Sequence, residues 1–78
     1  MKDLIEFIAR SLVDDPTQVT VRESGRRGSV YLHLQVAKED MGRVIGKHGR
    51  VANAMRALLN VAAAQTGQRV SLDIDDPR

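Results

Sequence analysis

The apolar positions of the chain follow two periods, and the places where one gives way to the other mark out six elements. Met1, Ile5, Ile8 and Leu12 recur at helical spacing, with Leu4 and Ala9 at the edges of the stripe. Asp14, Asp15 and Pro16 end that helix, because a residue preceding proline avoids the helical region. Val19 and Val21 alternate with Thr20 and Arg22 as a short strand, and Ser24 to Gly28, with two glycines, reads as a five-residue turn. Val30, Leu32, Leu34 and Val36 then alternate strictly with Tyr31, His33 and Gln35, the clearest strand in the chain. Asp40 is placed to cap a short helix carrying Met41, Val44 and Ile45. Val51, Met55, Leu58 and Ala62 predict the core stripe of a longer helix, flanked by Ala54 and Leu59 and ended by Gly67. Val70, Leu72 and Ile74 alternate with Ser71, Asp73 and Asp75 as a last strand.

The order is α-β-β-α-α-β, with no internal repeat or low-complexity segment. The short turn makes the first two strands an antiparallel hairpin. Between Val36 and Val70 the chain holds two helices, enough for a right-handed crossover that leaves the second and third strands parallel. Because every strand alternates, one face of the sheet is buried, and the three helices are expected to cover it. The predicted fold class is α+β, three helices packed on one face of a mixed three-stranded sheet.

Composition narrows the function. The 78 residues allow one small domain, residues 1–78, with a core too small for a large pocketed enzyme. Cysteine is absent, which excludes disulfides and thiolate metal sites. Met1, Lys2 and Asp3 do not begin a signal peptide and no apolar run is long enough to span a bilayer, so a cytoplasmic protein is expected.

The net charge of +2 conceals a gradient. Residues 1–40 sum to −1, residues 41–72 to +5 without a single acid, and residues 73–78 to −2. The basic block is centred on Gly46-Lys47-His48-Gly49, a turn with two glycines that opens an Ala-rich helix. Glycine lets a backbone approach a ligand closely, helix-start amides attract anions, and clustered cations steer phosphates. The turn therefore reads as a phosphate grip.

The run Val44-Ile45-Gly46-Lys47-His48-Gly49-Arg50, set between two helices, resembles the Ile-Gly-x-x-Gly loop of the K-homology domain. The α-β-β-α-α-β order resembles the type II, prokaryotic form of that fold. The resemblance covers essentially the whole chain and implies a single-stranded RNA-binding protein, a bacterial post-transcriptional regulator or RNA chaperone. K-homology loops clamp about four nucleotides of single strand. On that likeness Gly46 and Gly49 let consecutive phosphates approach the backbone, and Lys47 supplies a point charge. His48 donates a hydrogen bond or stacks on a base, and histidine is the side chain whose charge changes near neutral pH. Arg43 and Arg50 flank the turn within reach of the same strand. Ile45 is the candidate floor of a base-binding groove, while Val44 is expected in the core.

Other phosphate and catalytic signatures fail on spacing. Gly46-Lys47 is followed by His48 rather than by the Ser or Thr of a Walker loop, and a dinucleotide fingerprint needs a third glycine within a longer βαβ unit. His33 and His48 have no neighbouring ligand cluster, so neither a metal nor a cofactor is expected. Asp73, Asp75 and Asp76 read as a solvated acidic patch, not a catalytic one, and no enzyme is expected. Only Phe7 and Tyr31 are aromatic, which excludes an RNA-recognition sheet lined with stacking rings.

A second reading is a protein-interaction module. Ala57, Val61 and Ala64 share one flank of the long helix, near Asn53 and Asn60, and small residues there let another helix approach. The K-homology resemblance implies self-association or pairing with a larger, Jag-like K-homology protein. Phe7, off the main stripe of the first helix, is either an edge contact or part of such a partner surface.

Overall fold

The computed structural model describes residues 1–75, so Asp76 of the acidic group lies outside the described residues. Its elements follow the expected order: α1 (Lys2–Leu12), β1 (Thr20–Arg26), β2 (Ser29–Gln35), α2 (Met41–Ile45), α3 (Arg50–Thr66) and β3 (Arg69–Asp75). Single turns of 3-10 helix at Pro16–Gln18, Lys38–Asp40 and Lys47–Gly49 link them. β2 is the central strand, antiparallel to β1 and parallel to β3. This is the type II K-homology arrangement.

Register decides what faces what. Val21 stands opposite Leu34, and Leu32 opposite Leu72, so the inner face of the sheet is continuous across all three strands. Ile5 and Ala9 of α1, Val44 before the glycine turn, and Met55 and Leu59 of α3 close over it, each almost fully buried. The opposite face carries Arg22, Arg26, Tyr31, His33, Arg69 and Asp73, and no helix of the described residues covers it.

Four local expectations are corrected. The hairpin turn is two residues, not five. β1 continues through Arg26, and Arg27 (φ 45°) with Gly28 (φ 83°) makes the connection. Positive φ at both central residues is the turn whose twist matches a right-twisted hairpin.

The core stripe of α3 is Ala52, Met55, Leu59 and Ala63, about one residue round from the predicted one, and it leaves Leu58 51% exposed. The helix is apolar on several sides, so periodicity alone gave two nearly equal choices. The small side chains of Ala52 and Ala63 take the face that must approach the sheet.

In α1 Ile5 is buried as expected, with Met1 and Ile8 packed partly buried against the core, but Ala9 from the stripe's edge is buried while Leu12 is 38% exposed. Asp40, finally, does not cap α2 with its side chain. Its carboxylate, 2% exposed, instead accepts the backbone N–H groups of Asp14 and Asp15, both at 3.1 Å. The chain leaving α1 would otherwise carry two unsatisfied donors there.

Candidate nucleic-acid interface

The glycine turn is built by a change of backbone hand. α2 stops because Gly46 takes φ 77°, ψ 167°, a region essentially reserved for glycine. Space is as restrictive as angle there: a Cβ on Gly46 would lie 2.8 Å from the Val51 nitrogen and 2.5 Å from its Cγ2. His48 (φ 59°) and Gly49 (φ 75°) then turn left-handed before α3 begins at Arg50. Gly49 has room for a side chain, with only the Asn53 amide nitrogen at 3.8 Å, so its requirement is purely conformational.

The result is a tight, outward-facing loop. The Gly46 N–H donates to the Gly42 carbonyl at 2.9 Å and the Gly49 N–H to Gly46 at 3.1 Å. The Arg50 N–H closes on the Lys47 carbonyl, which leaves the Lys47 and His48 amides outside these bonds. Lys47, His48 and Arg50 are exposed. α3 is 17 residues long, and the positive end of its dipole lies at this loop. Backbone donors, two fixed cations and a helix start therefore converge on one small surface, which is the chemistry of a phosphate site.

The flanking residues behave differently from one another. Val44 is fully buried, as expected, and Ile45 is half-buried against the core. Arg43 turns away from the loop: its Nη2 lies 2.9 Å from an Asp14 carboxylate oxygen and its Nε 3.4 Å from Asp40. Two acids thus engage the cation that the sequence offered for phosphate binding. Phe7 is 71% exposed on α1, so it is not an edge packing residue.

Sequence reasoning missed Arg56. Its Nε and Nη2 donate to the Leu72 carbonyl at 3.2 and 3.1 Å, and its Nη1 donates to Asn53 Oδ1 at 3.2 Å. β3 is an edge strand, and Leu72 is where α3 holds that edge. Carbonyls alternate in direction along a strand, so those of Val70 and Ile74 point outward as well. A cleft of about 250 Å³ lies here between α3 and β3, lined by Arg56, Leu59, Asn60, Val70, Leu72 and Asp73. Asn53 joins it to the loop, touching both Arg56 and the Gly49 position. Ile45, the expected groove floor, does not line this cleft. The available signal was the spacing Asn53, Arg56, Asn60, a polar stripe on an otherwise Ala-rich helix.

Comparison with known proteins accounts for this geometry. The family model described as KhpA/KhpB, KH domain, matches residues 2–74. The chain belongs to that family. An RNA-binding protein KhpA from Treponema pallidum (strain Nichols) is 51% identical over 75 residues, covering 96% of this chain and 94% of the relative. One from Clostridium acetobutylicum is 50% identical over 74 residues, covering 95% and 99%, and one from Chlamydia pneumoniae is 40% identical over 74 residues, covering 95% of each. No solved structure matches the chain. In K-homology terms the Gly46–Gly49 turn is the family's Gly-x-x-Gly loop, here with Lys47 and His48 as its two variable residues. Among the described residues no group of three or more His, Cys, Asp or Glu side chains is arranged to hold a metal ion.

Proposed function

We infer that this chain binds single-stranded RNA, with the Gly46-Lys47-His48-Gly49 loop as its phosphate clamp. One observation carries the reading: Lys47 and His48 are held outward between two positive-φ glycines at the start of α3, inside a stretch of 32 residues that has no acid. Phosphates then lie along the loop, with Lys47 and Arg50 as their charges and the free amides as donors. Bases turn into the cleft beyond Asn53, where Arg56, Asn60 and the outward carbonyls of β3 offer hydrogen bonds to base edges. Ile45 contributes apolar surface at the near side of the loop. Arg43, held by Asp14 and Asp40, belongs to the scaffold in this reading and adds little to the grip.

Its relatives are bacterial RNA-binding proteins, and a role as post-transcriptional regulator or RNA chaperone fits a clamp that reads backbone more than sequence. A cytoplasmic location agrees with that role, and among the described residues no helix is long and apolar enough to cross a membrane. The test is a Lys47→Asp, His48→Asp double variant. Both side chains are exposed, so the fold is expected to persist by circular dichroism while binding of a short single-stranded RNA is lost. Full retention of binding by the folded variant overturns the clamp.

Self-association is a second property we assign to the same domain. Leu58 and Val61 on α3 are 51% and 63% exposed, beside Ala57 and Ala64, and this apolar flank lies away from the loop's cations. A second copy of the chain, or the KhpB-type partner that shares the family, would cover it.

A further inference from the structure

The uncovered face of the sheet has a basic end of its own. Arg26 of β1, Ser29 of β2 and Arg69 of β3 occupy one rung across all three strands and point to that face. The rung is fixed by a 2.7 Å hydrogen bond from the Arg69 N–H to the Gly28 carbonyl, which ties the start of β3 to the hairpin turn. Strands about 4.8 Å apart place the Arg26 and Arg69 backbones about 10 Å from each other. Arg27 adds a third guanidinium from the turn itself, at φ 45°, in a backbone conformation where Asn or Gly would be less strained. All three arginines are exposed, and none of the ion pairs among the described residues engages them. Glu23 belongs to the opposite face, and Asp73 is four residues along β3, about 13 Å from Arg69.

The next rung is Ser24, Tyr31 and Ser71, with Tyr31 47% exposed at its centre. A shallow depression runs from this ring to the turn, lined by Ser24, Gly25, Arg26, Arg27, Ser29 and Tyr31. Three guanidiniums brought together without an acid repel one another, and a polyanion relieves that repulsion. Planar forks suit phosphate oxygens, and a ring one rung away on a flat surface offers a base a stacking partner. Hydroxyls surround the ring where a membrane-binding patch would carry apolar side chains.

We propose that this end of the open sheet face is a second RNA-binding site, in which Arg26, Arg27 and Arg69 hold phosphates and Tyr31 stacks on a base. The proposal rests on the clamp reading above and extends it. α3 carries the chain from the glycine loop back to the start of β3, and its 17 residues span about 25 Å, so the two sites lie at opposite ends of the domain. A strand of a few nucleotides reaches one site only. A longer strand, or two strands, engages both, and one domain then bridges RNA segments.

Fluorescence anisotropy with a hexanucleotide and a 30-nucleotide single strand separates the two sites. The variant Arg26→Gln, Arg69→Gln is expected to bind the hexamer within about twofold of wild type and the 30-mer about tenfold more weakly, as expected when a second linked contact is lost. Its log-log salt slope on the 30-mer falls by about 1.4, the value for two lost phosphate contacts on single strand. Tyr31→Thr keeps a strand-forming residue, and is expected to weaken 30-mer binding while leaving that slope unchanged. Binding of the 30-mer that survives Arg26→Gln, Arg69→Gln but not Lys47→Asp, His48→Asp overturns the second site and leaves the clamp standing. Failure of the wild type to bind either strand overturns both. Arginine-dependent cosedimentation with phosphatidylglycerol vesicles, with 30-mer binding unchanged, assigns the patch to membranes and overturns the proposal.

Discussion

Arg56 and Leu72 set the width of the cleft between α3 and β3: two donors of one guanidinium share one carbonyl, at 3.2 and 3.1 Å. The pair sets α3 against the free edge of β3, and it uses up the hydrogen-bonding capacity of the middle outward carbonyl. Among the described residues no side chain donates to those of Val70 and Ile74. Replacing Arg56 with Met keeps the apolar stem but removes every donor. We expect a loss of about 1.5–3 kcal/mol in urea unfolding, the range for a hydrogen bond to a charged group, together with a several-fold loss of RNA affinity. Arg56→Lys restores charge but not the fork, and recovers less stability than charge alone predicts. Equal stability of Arg56→Met and wild type would show that packing, not this pair, sets the cleft.

The two loop glycines differ in kind, and their alanine variants are expected to differ in cost. Gly46→Ala meets both a forbidden backbone region and the Val51 nitrogen 2.8 Å away. It is expected to destabilise by on the order of 3 kcal/mol, strain and overlap acting together. Gly49→Ala meets only a left-handed φ, for about 1 kcal/mol. Denaturant titration of the two variants checks the ranking, and the reverse order contradicts the geometry.

The sequence carried the element order, the sheet topology and the glycine loop because each rests on a local signal of a single kind. Strict alternation from Val30 to Val36 leaves only one register with a buried face, and Gly46 and Gly49 announce backbone angles directly. What stayed hidden depends on contacts between distant segments. Nothing near Asp40 says that its acceptors will serve Asp14 and Asp15, or that Arg43 will face the same acids. The roll of α3 was ambiguous because alanine suits both the sheet and the solvent side of a helix. The Arg26, Ser29 and Arg69 rung joins residues more than forty positions apart, and only strand pairing makes them neighbours.

Asp40 offers a test of which of its partners matters. Its two backbone donors sit at 3.1 Å, while Arg43 is 52% exposed and its Nε lies 3.4 Å away. Solvent weakens the ion pair but not the satisfaction of two sheltered amides. Asp40→Ala is therefore expected to cost about 2–3 kcal/mol, chiefly from unsatisfied donors, and Arg43→Gln less than about 1 kcal/mol, as for exposed pairs. Arg43→Gln is also expected to bind RNA within about twofold of wild type, since Asp14 and Asp40 engage its guanidinium. A tenfold loss of affinity in Arg43→Gln would place its guanidinium on the RNA instead of on the two acids.

Self-association through α3 predicts a separation between stability and mass. Val61 is 63% exposed, so Val61→Arg removes almost no contact within one chain and is expected to change unfolding free energy by no more than about 0.5 kcal/mol. If a second copy covers this flank, the same substitution forces a guanidinium against Ala57, Ala64 and Leu58 of a facing helix, where it finds no acid on the flank to pair with. Light scattering over a concentration series should then show the wild type rising from 8.6 kDa toward twice that mass, with Val61→Arg held at 8.6 kDa. RNA binding to the hexanucleotide should be the same in both, because the loop lies at the other end of the side-chain pattern, at the start of α3. A wild type that stays at 8.6 kDa at millimolar concentration removes the homodimer and leaves the flank to a different K-homology chain.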